Sequence, residues 1–151
     1  MHTQRLSLQA APDAYTAVSG VESYIRGCGL EKPLMELVKL RASQINGCSY
    51  CVDMHSRDAR RGGETEQRLY LVSAWQESSA FTERERAALT WTECLTRLAT
   101  DGAPDSAYDE LQRHFTPAEI ANLTTLVGLI NLWNRIGVGF RLQHPTVARA
   151  A

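Results

Sequence analysis

Four residues carry the chemistry this sequence offers: the CxxC pair Cys48 and Cys51, His55 one helical turn further on, and Glu36 upstream. Residues three and four apart on a helix are neighbours, so Cys48, Cys51 and His55 line up along one edge. The two cysteine Cα atoms would then lie roughly 5 to 6 Å apart, a separation that a disulfide bridges with little backbone movement. Asn46-Gly47 reads as a helix stop, which puts the pair at the start of the next helix. A helix N-terminus offers unpaired N–H groups and the positive end of the dipole, and both favour thiolate over thiol. Cysteines in such settings titrate at about 3.5 to 7.5, against about 8.5 for the free side chain. His55 can take up or relay the proton, and Glu36 can orient the imidazole or accept the proton in turn. The expected chemistry is attack of a thiolate on a peroxide oxygen, formation of a sulfenic acid, and its condensation with the second thiol to a disulfide.

The same residues have other readings. A buried CxxC can be two small core residues, and His55 a hydrogen-bonded core histidine. Zinc would take Cys48, Cys51 and His55 as three ligands, but no second CxxC or HxxxH supplies a fourth, so no metal is expected. Haem attachment needs a histidine directly after the second cysteine, where Val52 stands, and no cofactor is expected. Tyr50, between the cysteines, either packs over the pair or donates a hydrogen bond to a bound peroxide or thiolate. Cys28 and Cys94 fall on apolar stripes and read as core residues. Trp75, Trp91 and Trp133 read as core aromatics, and His114 and His144 as surface or subunit-contact residues.

The elements that must position the pair are all helical. Ala14, Val18, Val21, Ile25 and Cys28 form one stripe, broken by Gly27 and Gly29. A second helix opens at Pro33 and carries Leu34, Leu37, Val38 and Ile45 on one side. The third runs from Cys48 to about Arg61, closed by Gly62-Gly63. Thr65 caps a fourth bearing Leu69, Val72 and Trp75. Thr82 with Glu85, and Thr116 with Glu119, are capping boxes; between the helices they start lies a short one with Tyr108, Leu111 and Phe115. The last helix, through Ile120, Leu123, Val127, Ile130 and Trp133, has apolar residues beyond one stripe, so it is buried on several sides, within the fold or against another subunit. No segment alternates with period two, and the fold class is all-α.

At 151 residues with 44% hydrophobic content, the chain is expected to form a single domain over residues 1–151. A net charge of −1 lacks the electrostatic footprint that nucleic acid selects. Residues 123–133 are interrupted by Thr124, Thr125 and Asn131 and fall short of the roughly 20 apolar residues of a membrane span. Residues 1–14 lack a cationic stretch followed by an apolar run, so a cytoplasmic location is expected.

Residues 36–55, from Glu36 through Asn46-Gly47-Cys48-Ser49-Tyr50-Cys51 to His55, closely resemble the signature of the AhpD-like, carboxymuconolactone decarboxylase superfamily. The likeness continues through Ala59, Gly63-Glu64-Thr65, Arg68-Leu69, residues 71–75 and residues 82–89, and recurs at Asn131-Leu132-Trp133-Asn134-Arg135. The resemblance implies an AhpD-like helical bundle of about six to seven helices, assembled as a homo-oligomer, a trimer or hexamer. It implies a cysteine-based alkylhydroperoxidase whose substrate is a hydroperoxide and whose reductant is an unidentified dithiol or protein. Carried over by position, Cys51 resembles the peroxide-attacking cysteine, Cys48 the partner that donates a proton and closes the disulfide, and Glu36 with His55 the proton relay. Tyr50 stands where the hydroperoxidase members have a histidine, so the relay is shorter or rests on His55. Two alternatives stand beside this reading. One is a carboxymuconolactone decarboxylase-like lyase, a branch that shares the fold but lacks the cysteine pair; the other is a non-catalytic redox-sensing or metal-binding assembly module.

Overall fold

Eight α-helices follow one another in the computed structural model, which describes residues 3–146. They are α1 (Pro12–Arg26), α2 (Lys32–Ile45), α3 (Ser49–Arg61), α4 (Glu66–Leu71), α5 (Glu83–Thr96), α6 (Leu98–Asp101), α7 (Asp105–His114) and α8 (Pro117–Phe140). The described residues form no strand, and the fold is an all-α bundle. It carries more helices than the expected six to seven because α6 is a single turn appended to α5.

Local sequence accounts for most of the helix starts. Proline occupies the first turn of α1, α2 and α8, where its missing N–H and fixed φ cost nothing. Thr65 caps α4, and both capping boxes are reciprocal, each threonine accepting from the N3 amide while the N3 glutamate accepts from the cap amide. The fourth helix is not continuous through Trp75. It ends at Leu71 and passes into a 3₁₀ segment, Val72–Glu77, in which Ala74 leaves helical geometry (φ −127°, ψ 32°) and lets Val72 and Trp75 both face inward.

Helix α2 is the centre of the bundle. Its Leu34, Met35 and Val38 join a core with Ile25 of α1, Leu111 of α7 and Leu123 and Leu126 of α8, while Leu37 and Leu40 join a second with Leu69, Val72, Trp75 and Phe81. The one-sided stripe expected for α2 is therefore wrong. Burial is continuous from Leu37 to Ser43 and takes in Lys39 and Arg41, which is possible only because each finds a carboxylate, half-buried Glu22 for Lys39 and buried Glu93 for Arg41. Helix α1 is the opposite case: Ile25 is buried and Val18 and Cys28 are half-buried, but Ala14 and Val21 are exposed. None of the helices described is long and apolar enough to cross a membrane.

Candidate active site

The turn between α2 and α3 delivers the cysteines. Gly47 has φ +66°, a left-handed conformation that costs a glycine little and other residues more. Past it, the Cys48 amide donates to the Ser43 carbonyl (3.0 Å), so Cys48 leaves the turn as the N-cap of α3. Its Sγ accepts from the Cys51 amide at 3.4 Å, a capping contact of the kind usually made by serine or aspartate. Cys48 and Cys51 are joined as a disulfide with Cα atoms 5.3 Å apart, inside the range expected from their spacing.

Helix α8 holds this turn from behind. Asn46 donates to both Asn131 (3.0 Å) and Asn134 (2.9 Å), and Asn134 in turn donates to Ser43 Oγ (2.9 Å). Asn134 is only 1% exposed, so these bonds form where water cannot replace them. One turn on, Gly137 brings bare backbone against the sulfurs: a Cβ there would lie 2.7 Å from Cys48 Sγ and 3.5 Å from Cys51 Sγ. Sequence reading did not identify Gly137, Asn131 or Asn134 as part of the site. The signals available were the family likeness at Asn131 to Arg135 and two asparagines a turn apart in the apolar second half of α8.

His55 is buried on α3, and its Nδ1 lies 2.8 Å from Glu36 Oε2. Burial raises the proton affinity of Glu36, but the hydrogen bond from His55 and the charge of Lys39 outweigh it and hold the carboxyl below its usual range. A carboxylate can only accept, so Nδ1 is the protonated nitrogen and Nε2 is left to exchange a proton. Glu36 Oε1 receives Lys39 Nζ at 3.4 Å, and the same ammonium reaches Glu22 Oε1 on α1 at 3.1 Å. Lys39 and Glu22 were also missed. The available signal was a lysine set among aliphatic residues of α2.

Cys51, His55, Glu36 and Tyr50 all line one cavity of about 1040 Å³ between α1, α2, α3 and α8. Its walls include Met35, Leu129 and Trp133, so charged groups stand beside an apolar surface. Cys48 lies behind Cys51, against Gly137. The cavity thus meets the pair at Cys51.

Glu36, His55 and Asp58 bring one potential ligand atom each within 4.8 Å of one another. A divalent cation there would meet the Lys39 ammonium on Glu36 and the Arg61 guanidinium on Asp58, both of which oppose it. The other cysteines stand apart: Cys28 and Cys94 are half-buried free thiols, and burial pushes the Cys94 thiol up, away from reactivity. Trp75 is more than a core aromatic, since its Nε1 donates to Glu93 Oε1 (2.7 Å), the oxygen that also receives Arg41 Nε (2.7 Å). His114 pairs with Glu110 on its own helix, away from the site.

Residues 9–93 match the carboxymuconolactone decarboxylase family. Over 137 residues, 90% of this chain, the sequence is 36% identical to the uncharacterized protein YdfG of Bacillus subtilis (strain 168), 93% of which is covered. The structure superposes with a TM-score of 0.94 on a protein of unknown function from Agrobacterium tumefaciens, a candidate antioxidant defence protein AhpD. That pair is 47% identical, with 96% of this chain and 100% of the other covered. A debrominase in its apo form shares the fold, with a TM-score of 0.78 over 89% of this chain and 73% of its own, at 21% identity.

Proposed function

The chain belongs to the AhpD-like, carboxymuconolactone decarboxylase family, and from that premise we propose that it is a cysteine-based hydroperoxide reductase working through a Cys48–Cys51 dithiol. The observation that carries this reading is the shared cavity, which Cys51 enters together with His55 and Glu36 while Cys48 stays behind it.

In the reduced protein the Cys51 thiolate attacks the terminal oxygen of a hydroperoxide. The S–O bond forms as the O–O bond breaks, and the departing alkoxide takes a proton and leaves as the alcohol. Cys48 then attacks the Cys51 sulfur: the disulfide forms, the S–O bond breaks, and hydroxide leaves as water with a second proton. Two electrons pass from the dithiol to the peroxide, and an external dithiol or protein reductant returns them by thiol–disulfide exchange. His55 takes the thiol proton at Nε2 and supplies it to the leaving oxygen, with Glu36 fixing the tautomer through Nδ1. The assembly is a homo-oligomer, a trimer or hexamer, of a single-domain chain acting in the cytoplasm.

Thiol titration before and after one equivalent of an alkyl hydroperoxide tests the reading. Two thiols should be lost per chain, none by this route in Cys51→Ser, and Cys48→Ser should stop at a trappable sulfenic acid. Survival of all four thiols in excess peroxide in the folded, reduced protein would overturn it and favour a non-catalytic module.

A further inference from the structure

Lys39 sits in the middle of α2, one turn beyond Glu36, and is only 6% exposed. An ammonium is retained at such a place only where opposite charge and hydrogen bonds replace its hydration. Its Nζ spans two carboxylates, Glu22 on α1 at 3.1 Å and Glu36 at 3.4 Å, and the second is the group that accepts from His55. Packing does not call for a lysine, since Val38 and Leu40 on either side are ordinary buried aliphatics. The proton transfers of His55 and Glu36 leave Lys39 without a part.

We propose that Lys39 is a positioning residue for the Glu36–His55 pair: anchored by Glu22, its ammonium holds Glu36 as a carboxylate, which keeps the imidazole proton on Nδ1 and leaves Nε2 free to exchange one. The role rests on the relay reading of Glu36 and His55. A cation within about 4–6 Å lowers the proton affinity of carboxylate and imidazole alike. Glu22 acts with the opposite sign, and Arg26, 3.4 Å from Glu22, partly offsets it. On α3 the charged neighbour is Asp58, paired with Arg61. Helix α8 faces the cavity with Leu126, Leu129, Ile130 and Trp133, which carry no charge. Lys39 and Glu22 therefore tune the pair in opposite directions, and α1 becomes part of the site through Glu22.

The test is an NMR titration of the His55 imidazole in the full-length oxidised protein and in Lys39→Met, Lys39→Arg and Glu22→Gln, with the acid limb of peroxide turnover recorded alongside. Lys39→Met should raise the His55 midpoint by about one pH unit or more, as expected for loss of a nearby cation. Lys39→Arg should restore the wild-type midpoint, and Glu22→Gln should lower it. Wild-type midpoints in both Lys39→Met and Glu22→Gln would overturn the proposal. If Lys39→Met does not fold, Lys39→Gln decides: a raised midpoint supports the role and an unmoved one overturns it. The ring titration needs no turnover, so the predicted shifts without peroxidase activity would sink the proposed reaction and leave the role of Lys39 standing.

Discussion

The side chains that decide this site act at short range, and the sharpest case is a missing one. Gly137 leaves room for Cys48 Sγ, and an alanine Cβ would lie 2.7 Å from it, so Gly137→Ala must displace the pair. The expected cost is about 1–3 kcal/mol, the range for overpacking a close-packed interior, with slower disulfide closure after oxidation. Gly128→Ala on the same helix meets nothing within 4 Å and should instead gain about 0.4–1 kcal/mol. Urea denaturation of the two variants checks the contrast, and equal effects would remove Gly137 from the account. At the relay, Glu36→Gln and His55→Ala are expected to slow single-turnover peroxide reduction by about 10²-fold or more, and unchanged rates in both would exclude a proton-transfer role. Glu36 also links stability to pH. Its folded proton affinity is lowered, so its contribution is fully present above the unfolded carboxylate value of about 4.3 and is lost as pH falls through the folded value. Denaturation midpoints measured across that acid range should fall less steeply in Glu36→Gln than in the wild type.

Among the elements, α3 is aimed by its two ends of contact, the turn at Gly47 and the asparagine tether to α8. Asn134→Ala would leave the buried Ser43 hydroxyl and the Asn46 amide short of partners, at an expected cost of about 1–3 kcal/mol by chemical denaturation. A loss under half a kcal/mol would mean that the turn holds without α8. Much of this scale was legible in the residue order. Both capping boxes, the glycine stop before Cys48 and the prolines opening α2 and α8 lie where local rules put them, because a cap depends on residues within one turn of each other. Two readings failed for one reason. Periodicity puts the apolar residues of α2 on one side and carries the fourth helix straight through Trp75. Buried Glu93 draws Arg41 and Trp75 inward together, and no window of sequence around either residue contains that partner.

For the molecule as a whole, the question is what surrounds the cavity. Four helices far apart in the chain wall it, and α1, the least buried of them, contributes Glu22 and Tyr15. Val21 and Tyr24 on α1 and Leu132 and Val138 on α8 are exposed large hydrophobics, side chains of the kind that subunit contacts cover. Sedimentation at micromolar concentration is expected to give a trimer or hexamer, and a monomer would contradict that assembly.

The residue order by itself determined that the chain is helical, where most helices start, and that Cys51 and His55 share one face of α3 with Cys48 at its start. Each of these follows from interactions within a turn or two, and the family likeness rests on the same stretch. Only the tertiary structure decided that Cys51 rather than Cys48 meets the cavity, and that Gly137, Asn131 and Asn134 back the pair. The same holds for a buried lysine standing between two glutamates behind His55. The physical reason is distance along the chain. Asn46 and Asn134 are 88 positions apart, and contacts across such a span exist only once α2 and α8 have packed.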